Sequence, residues 1–290
     1  MLKNNLKKIL LVQVPRYVPN NLLIKYWVLL SFIQGVVTHS HRIKSISKFE
    51  SKISNDLYLV KATDGEILIQ NISRVNRFLR GKSHAVNRLY AQYINNLLSL
   101  DTIKKSNNKI VIFDIGANIG EFSCAIVEKF SNFQIFAFEP DPVAFECLKY
   151  NIAALNLSNC VSIYNLALSD KSGFYPFYVS TKNADSSFIQ PKNYTKIIRV
   201  ESLRADNFML EHEIEFITML KMDAEGFEPE VISGLGKQIS SVGFFAIDVG
   251  PERNGQETAV EIDNILRSQG MYTRIYSPLG RRKFLNAFWK

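Results

Sequence analysis

The chain has 290 residues, 47% of them apolar and 21% charged, a composition that can bury a core and excludes a disordered chain. Cys124, Cys147 and Cys160 lie far apart with no Cys-x-x-Cys pair, so neither a disulfide framework nor a zinc site is expected and a reducing compartment fits. The formal charge of +8 is confined to residues 1–52, which hold nine Lys and Arg against the single Glu50; the rest of the chain is neutral, which excludes a nucleic-acid partner for the folded body.

Residues 1–55 are read as a basic, partly apolar arm. Its apolar run, 22–37, is interrupted by Lys25 and Gln34 and spans sixteen residues, short of the roughly 20 that a membrane-crossing helix needs. A signal peptide fits poorly, because His39-Ser40-His41-Arg42 follows where small residues should mark cleavage. Two readings stay open: a helix docked on the body, or a peripheral contact through residues 1–52, with basic residues flanking an apolar segment on an anionic lipid surface. The expected location is cytoplasmic, with any such contact at the inner face of the membrane.

Residues 56–109 form a lead-in. Segments 57–62 and 67–72 are β-type runs around Thr63-Asp64-Gly65-Glu66, where Asp-Gly suits a tight hairpin. A basic loop follows over 74–82. Val86, Leu89, Tyr90, Tyr93 and Leu97 then recur at helical spacing within 84–100, and Ser106-Asn107-Asn108-Lys109 has linker composition.

Residues 110–290 are read as one doubly wound, Rossmann-like α/β domain. Segment 110–115 is continuously β-branched or aromatic, as a strand covered on both faces must be. Ile119, Phe122, Ile126 and Phe130 mark a helix, 134–139 a second strand, Ala144, Cys147, Leu148 and Leu155 a second helix, and 160–166 a third strand. Later units lie at 216–222, 231–235, 242–249 and 260–266. This alternation predicts a parallel sheet whose ligand sits at the carboxyl ends of the strands, beside the topological switch point.

The first strand ends in Phe113-Asp114-Ile115-Gly116-Ala117-Asn118-Ile119-Gly120-Glu121. Gly116 and Gly120 let the backbone turn sharply and approach a ligand, as in nucleotide sites. Asn118 stands where a dinucleotide fingerprint has its middle glycine, and Asp114 and Glu121 would repel a pyrophosphate. S-adenosylmethionine carries an ammonium and a sulfonium, so these carboxylates favour it over a dinucleotide. Asp114 is read as facing that cation, Glu121 as complementing the helix dipole. At the second strand end Glu139 can accept from two vicinal ribose hydroxyls, with Asp141 as N-cap and Pro142 as the first helical residue. Ala167, after the third strand, is read as flanking the adenine.

The set Asp114-Ile115-Gly116-Ala117-Asn118-Ile119-Gly120, Phe138-Glu139-Pro140-Asp141, Asn165-Leu166-Ala167-Leu168-Ser169-Asp170-Lys171-Ser172-Gly173 and Leu220-Lys221-Met222-Asp223-Ala224-Glu225-Gly226 resembles the FkbM-type methyltransferases. The resemblance covers roughly 110–275. It implies a class I S-adenosylmethionine enzyme that O-methylates sugars or other hydroxyl-bearing metabolites, on a seven-stranded sheet with one antiparallel strand. Two departures stand out: Ser202-Leu203-Arg204-Ala205-Asp206 replaces an acidic segment, and Asp248 stands where the family more often has glutamate.

Methyl transfer to an alcohol needs in-line placement and a proton acceptor. Asp223 is assigned as the base and Glu225 as the partner that orients the acceptor, both at the ligand edge of the fourth strand. Arg253 is expected to contact acceptor hydroxyls or phosphate, segment 181–195 to close over the acceptor, and His212 to lie at the surface. No divalent metal site is legible. The acceptor is expected to be a hydroxyl of a sugar or glycan precursor; an N- or C-methyltransferase of a small metabolite, or a binding module on the same fold, are the alternatives.

Overall fold

The computed structural model describes residues 48–54, 57–62, 64–70, 77–78, 82–94, 109–180, 186–278 and 282–289. The arm's apolar run lies outside them. Among the described residues no helix is long and apolar enough to cross a membrane. The chain divides into two compact units between Ala85 and Val86.

In the first unit β1 (Lys48–Ser54), β2 (Leu57–Ala62) and β3 (Gly65–Ile69) form an antiparallel sheet in that order. The expected hairpin is present, with Ala62 opposite Gly65. It is joined by β1, which the sequence reading had left in the arm. In Lys-Phe-Glu-Ser-Lys-Ile-Ser only Phe49 and Ile53 are large and apolar, too little for a strand signal, so β1 is revealed only by its pairing with β2. Asp64 does more than turn the chain: its carboxylate accepts from the backbone N–H groups of Lys82 (2.8 Å) and Ser83 (2.9 Å), capping α1 (Lys82–Tyr93). That helix carries the chain across the division. The division between the two units falls within 56–109.

The second unit is built on seven strands: β4 (Ile110–Ile115), β5 (Phe133–Phe138), β6 (Val161–Tyr164), β10 (Met219–Met222), β11 (Phe244–Asp248), β12 (Tyr272–Tyr276) and β13 (Phe284–Phe288). Their order is β12-β13-β11-β10-β4-β5-β6. All neighbours run parallel except β13, which is antiparallel to both β11 and β12. The helices between them are α2 (Glu121–Val127), α3 (Pro142–Ala154), α4 (Ala205–Glu211), α5 (Glu228–Leu235) and α6 (Ala259–Ser268).

Both sheet faces are covered, which is why the strands read as unbroken apolar runs. Phe113, Ile115, Phe138, Leu220, Met222 and Phe245 pack with Phe208, Val231, Ile232 and Ile262 on one side. Ile112, Ile135, Ala137, Met219 and Ala246 pack with Tyr93, Phe122, Leu148 and Ile152 on the other. Neighbouring strand residues thus belong to opposite faces.

A second, three-stranded sheet was not foreseen. β7 (Ala167–Ser169), β8 (Gly173–Val179) and β9 (Lys196–Arg204) follow β6 in the order β7-β9-β8. It meets the body through α5, where a Cβ on Gly234 would stand 1.8 Å from the Ser169 carbonyl oxygen. Only glycine allows that helix and strand to approach so closely.

Candidate active site

The chain leaves β4 for β5 on one side and finds β10 on the other, so the carboxyl ends of β4 and β10 form the switch point. Gly116 lies there with φ 67°, and a Cβ on it would come within 1.9 Å of the Asp223 carbonyl oxygen. The Asp223 N–H donates to the Ile115 carbonyl at 3.0 Å. The glycine turn and the proposed base are therefore in backbone contact. Gly120 (φ 86°) is the N-cap of α2, where a Cβ would meet Leu148 at 2.9 Å.

Asn118 also takes a left-handed φ, 52°, and its N–H donates to Glu139 Oε2 at 2.7 Å. Glu139 Oε1 accepts from the Asp141 N–H at 2.8 Å. Burial and the nearby Asp141 charge push the Glu139 carboxyl up to about 8, against the two N–H donors and Lys221. Each carboxylate oxygen keeps a second lone pair, so this pair of acceptors fits a ligand that presents two vicinal hydroxyls. Asp141 caps α3 as expected, with Pro142 at the first helical position. Asn165 Nδ2 donates to the carbonyls of Glu139 (2.8 Å) and Pro140 (3.3 Å), fastening this loop.

Two of the cofactor candidates lie inside the protein. Asp114 has no exposed surface: Oδ1 pairs with Lys221 Nζ at 3.0 Å and Oδ2 accepts from the Ser123 hydroxyl at 2.7 Å. Its charge is met inside the protein, so it orders the turn and does not face a cationic ligand. Lys221 also donates to the carbonyls of Ile115 (3.2 Å) and Gly116 (2.8 Å) and so pins the glycine turn from below. A lysine within an apolar strand is a legible signal for such a pair, because an unpaired buried ammonium is prohibitively costly. Ala167 is likewise not on an open loop; it is buried, starts β7 and pairs with Ser202.

The acceptor side is a charge cluster. Asp223 and Glu225 follow β10; Asp248 ends β11 and Glu252 follows it. Arg282, just before β13, stands among all four: 3.1 Å from Asp248, and 3.8 Å from each of Asp223, Glu225 and Glu252. These carboxylates, Asp223 foremost, hold the guanidinium pKa far above its usual range. Burial and the Asp223 charge push the Asp248 carboxyl up to about 8, opposed by Arg282. The Tyr93 hydroxyl donates to Asp223 Oδ2 at 2.8 Å. Arg282 is the cation that bridges Asp223 and Asp248. Among the described residues no group of three or more His, Cys, Asp or Glu is placed to hold a metal.

Glu228 shapes the turn carrying Asp223 and Glu225. Its Oε1 accepts from the N–H groups of Ala224 and Gly226, both at 3.0 Å, and Thr258 donates to Oε2. Glu225 itself takes φ 51°. Arg253 does not reach an acceptor: its guanidinium holds Glu230 at 2.6 Å and the Gly226 carbonyl at 3.1 Å. Arg204, at the acidic-segment departure, pairs with Asp206 and donates to the Asp170 carbonyl. Of segment 181–195, residues 181–185 lie outside those described. Ser186 donates to Asp141 Oδ2 and Ser187 to the Glu225 carbonyl, each at 2.8 Å, so the remainder spans the edge from the β5 loop to the β10 loop. His212 is exposed, its ring 4.1 Å from Phe208. Tyr93, Arg282 and Glu228 escaped the sequence reading; for Arg282 no local signal exists, since Arg281-Arg282-Lys283 reads as an ordinary basic turn.

The profile of the Methyltransferase FkbM domain matches residues 114–271, more than half of the chain. The chain belongs to the FkbM methyltransferase family. It is similar to the 2-O-methyltransferase NoeI of Sinorhizobium fredii, 32% identical over 144 residues, covering 44% of this chain and 58% of that protein. It is also similar to the hexuronic acid methyltransferase AglP of Haloferax volcanii, 26% identical over 147 residues, covering 51% and 59%. The chain thus spans less than two thirds of each. The crystal structure of a methyltransferase FkbM from Methylobacillus flagellatus superposes with TM-score 0.48 at 15% identity, covering 74% of this chain and 54% of that one. Tyr93 and Arg282 lie outside the matched FkbM segment.

Proposed function

We propose that the chain is an S-adenosylmethionine-dependent O-methyltransferase acting on a hydroxyl of a sugar or glycan precursor. The observation that carries this reading is the backbone contact between Gly116 and Asp223, which joins the turn next to Glu139 to the carboxylate wall. Bound beside that turn, S-adenosylmethionine supplies an electrophilic methyl group on sulfur. Glu139 would accept from the ribose hydroxyls, and Gly116 and Gly120 let the turn beside it pack against Asp223 and Leu148. Asp223 takes the acceptor's proton, and Glu225 orients its ring.

Among the described residues, Asp223, Glu225 and Glu252 with the largely protonated Asp248 surround Arg282, an acid-rich wall that favours an uncharged hydroxylated ring over an anionic one. The names of NoeI and AglP support an oxygen acceptor on a carbohydrate. The decisive experiment is transfer of a tritiated methyl group from S-adenosylmethionine to a panel of neutral hexosides and hexuronides, alongside calorimetric titration with S-adenosylmethionine and NAD. Binding of NAD but not S-adenosylmethionine would sink the proposal. The enzyme is placed in the cytoplasm, its basic arm resting on anionic lipid; co-sedimentation of the full chain with phosphatidylserine vesicles, lost on removing residues 1–47, is the expected result.

A further inference from the structure

We infer that Arg282 is a positioning residue: its guanidinium clamps the loops after β10 and β11 into one wall and so holds Asp223 and Glu225 in place. That this wall faces an acceptor rests on the proposed function; the clamp itself rests on geometry.

Sheet topology explains how residue 282 reaches the site. An antiparallel strand begins where its parallel neighbours end, and Phe284 of β13 pairs with Asp248, the last residue of β11. The residues just before β13 are therefore delivered to the carboxyl edge. The Val249 N–H donates to the Lys283 carbonyl at 2.9 Å, fixing the approach. Nη1 of Arg282 lies 3.1 Å from Asp248 Oδ2 and 3.8 Å from Asp223 Oδ2; Nη2 lies 3.8 Å from Glu225 Oε1 and from Glu252 Oε1. A planar fork with five donors can bridge carboxylates in this way, whereas an ammonium is a point charge.

Among the described residues, Arg282 stands beside groups of other kinds. From α1, Tyr93 donates to Asp223 and carries no positive charge. From α5, Glu228 binds the Ala224 and Gly226 N–H groups and adds a further acid. Beside Arg282, Lys283 turns away to Glu257 at 2.7 Å. Arg253 also joins the two loops, through the Gly226 carbonyl and Glu230; what Arg282 adds is positive charge between their carboxylates, which would otherwise repel one another. Arg282 lies beyond the matched FkbM segment, which ends at residue 271.

The test compares the full wild-type chain with Arg282→Ala and Arg282→Lys by hydrogen exchange, thermal unfolding and S-adenosylmethionine calorimetry. In Arg282→Ala, peptides spanning 223–228 and 249–256 are expected to exchange about tenfold faster, while those of the Glu139 loop do not change. Arg282→Lys should fall between. The Asp248 carboxyl is pushed up to about 8 with Arg282 opposing the rise, and removing the cation raises it further, so the midpoint deficit of Arg282→Ala should widen as pH rises through 8 and shrink on acidification. Adding Asp248→Asn to Arg282→Ala should narrow the deficit at pH 8. Unchanged exchange in the two loops, faster exchange spread over the whole sheet, or a deficit independent of pH would each overturn the clamp. Failure of the wild type to bind S-adenosylmethionine would instead count against the proposed function, leaving the exchange result to judge the clamp by itself.

Discussion

The hydroxyl of Tyr93 donates a 2.8 Å hydrogen bond to Oδ2 of Asp223, 130 residues further along the chain. Tyr93 is fixed for that purpose: its ring packs edge-on against Phe122 and Phe284 at 5.8 and 5.1 Å. Its carbonyl accepts from the Tyr276 hydroxyl (2.9 Å) and Asn286 Nδ2 (3.0 Å). A donor so held stabilises the ionised form of Asp223, the form that can take a proton.

Tyr93→Phe keeps the ring and loses the donor. A hydrogen bond to a charged group is worth about 1.5–3 kcal/mol, so transfer should slow by roughly one to two orders of magnitude. Calorimetry should find S-adenosylmethionine affinity unchanged. Asp223→Asn, run in parallel, should bind the cofactor and fail to transfer; survival of near wild-type transfer would remove Asp223 from the mechanism.

Gly116→Ala places a methyl group 1.9 Å from the Asp223 carbonyl oxygen at φ 67°. Backbone against backbone cannot yield as a side chain would, so strain and overpacking should together cost about 2–5 kcal/mol. Denaturant unfolding should show the loss. Any folded fraction should bind S-adenosylmethionine weakly.

Glu139 should make cofactor binding depend on pH. Its carboxyl lies at about 8 without ligand, and ribose hydroxyls donate best to the ionised form. Affinity should therefore rise between pH 6.5 and 9, and Glu139→Gln should bind more weakly with this dependence removed. Calorimetry at four pH values checks it; a flat wild-type profile refutes it.

Glu228 is buried, and burial pushes its carboxyl up to about 7. A folded pKa raised above the unfolded value gives a contribution fully present at acid pH and lost as pH rises through 7. Glu228→Gln should thus gain stability relative to wild type from pH 5 to 8. Glu228→Ala should lose about 2–4 kcal/mol at acid pH, because the Ala224 and Gly226 N–H groups lose their acceptor, with the deficit shrinking as pH rises through 7.

What the sequence by itself determined is local. Gly116 and Gly120 are demanded by backbone conformation, Asp141 and Pro142 by the start of a helix, and the strand runs by burial on both faces; each signal sits within a few residues of its cause. The carboxyl-edge site follows from strand order, and the FkbM resemblance supplied the antiparallel strand. What only the tertiary structure decided is which charges meet. Asp114 looked open to a cation because Lys221, its partner, is remote in sequence. Arg253 looked available for the same reason, until Glu230 was found against it. The β1 strand shows no period of its own and exists through pairing. Arg282 and Tyr93 reach Asp223 from opposite ends of the domain, and electrostatic interaction depends on distance in space, which spacing along a chain does not encode.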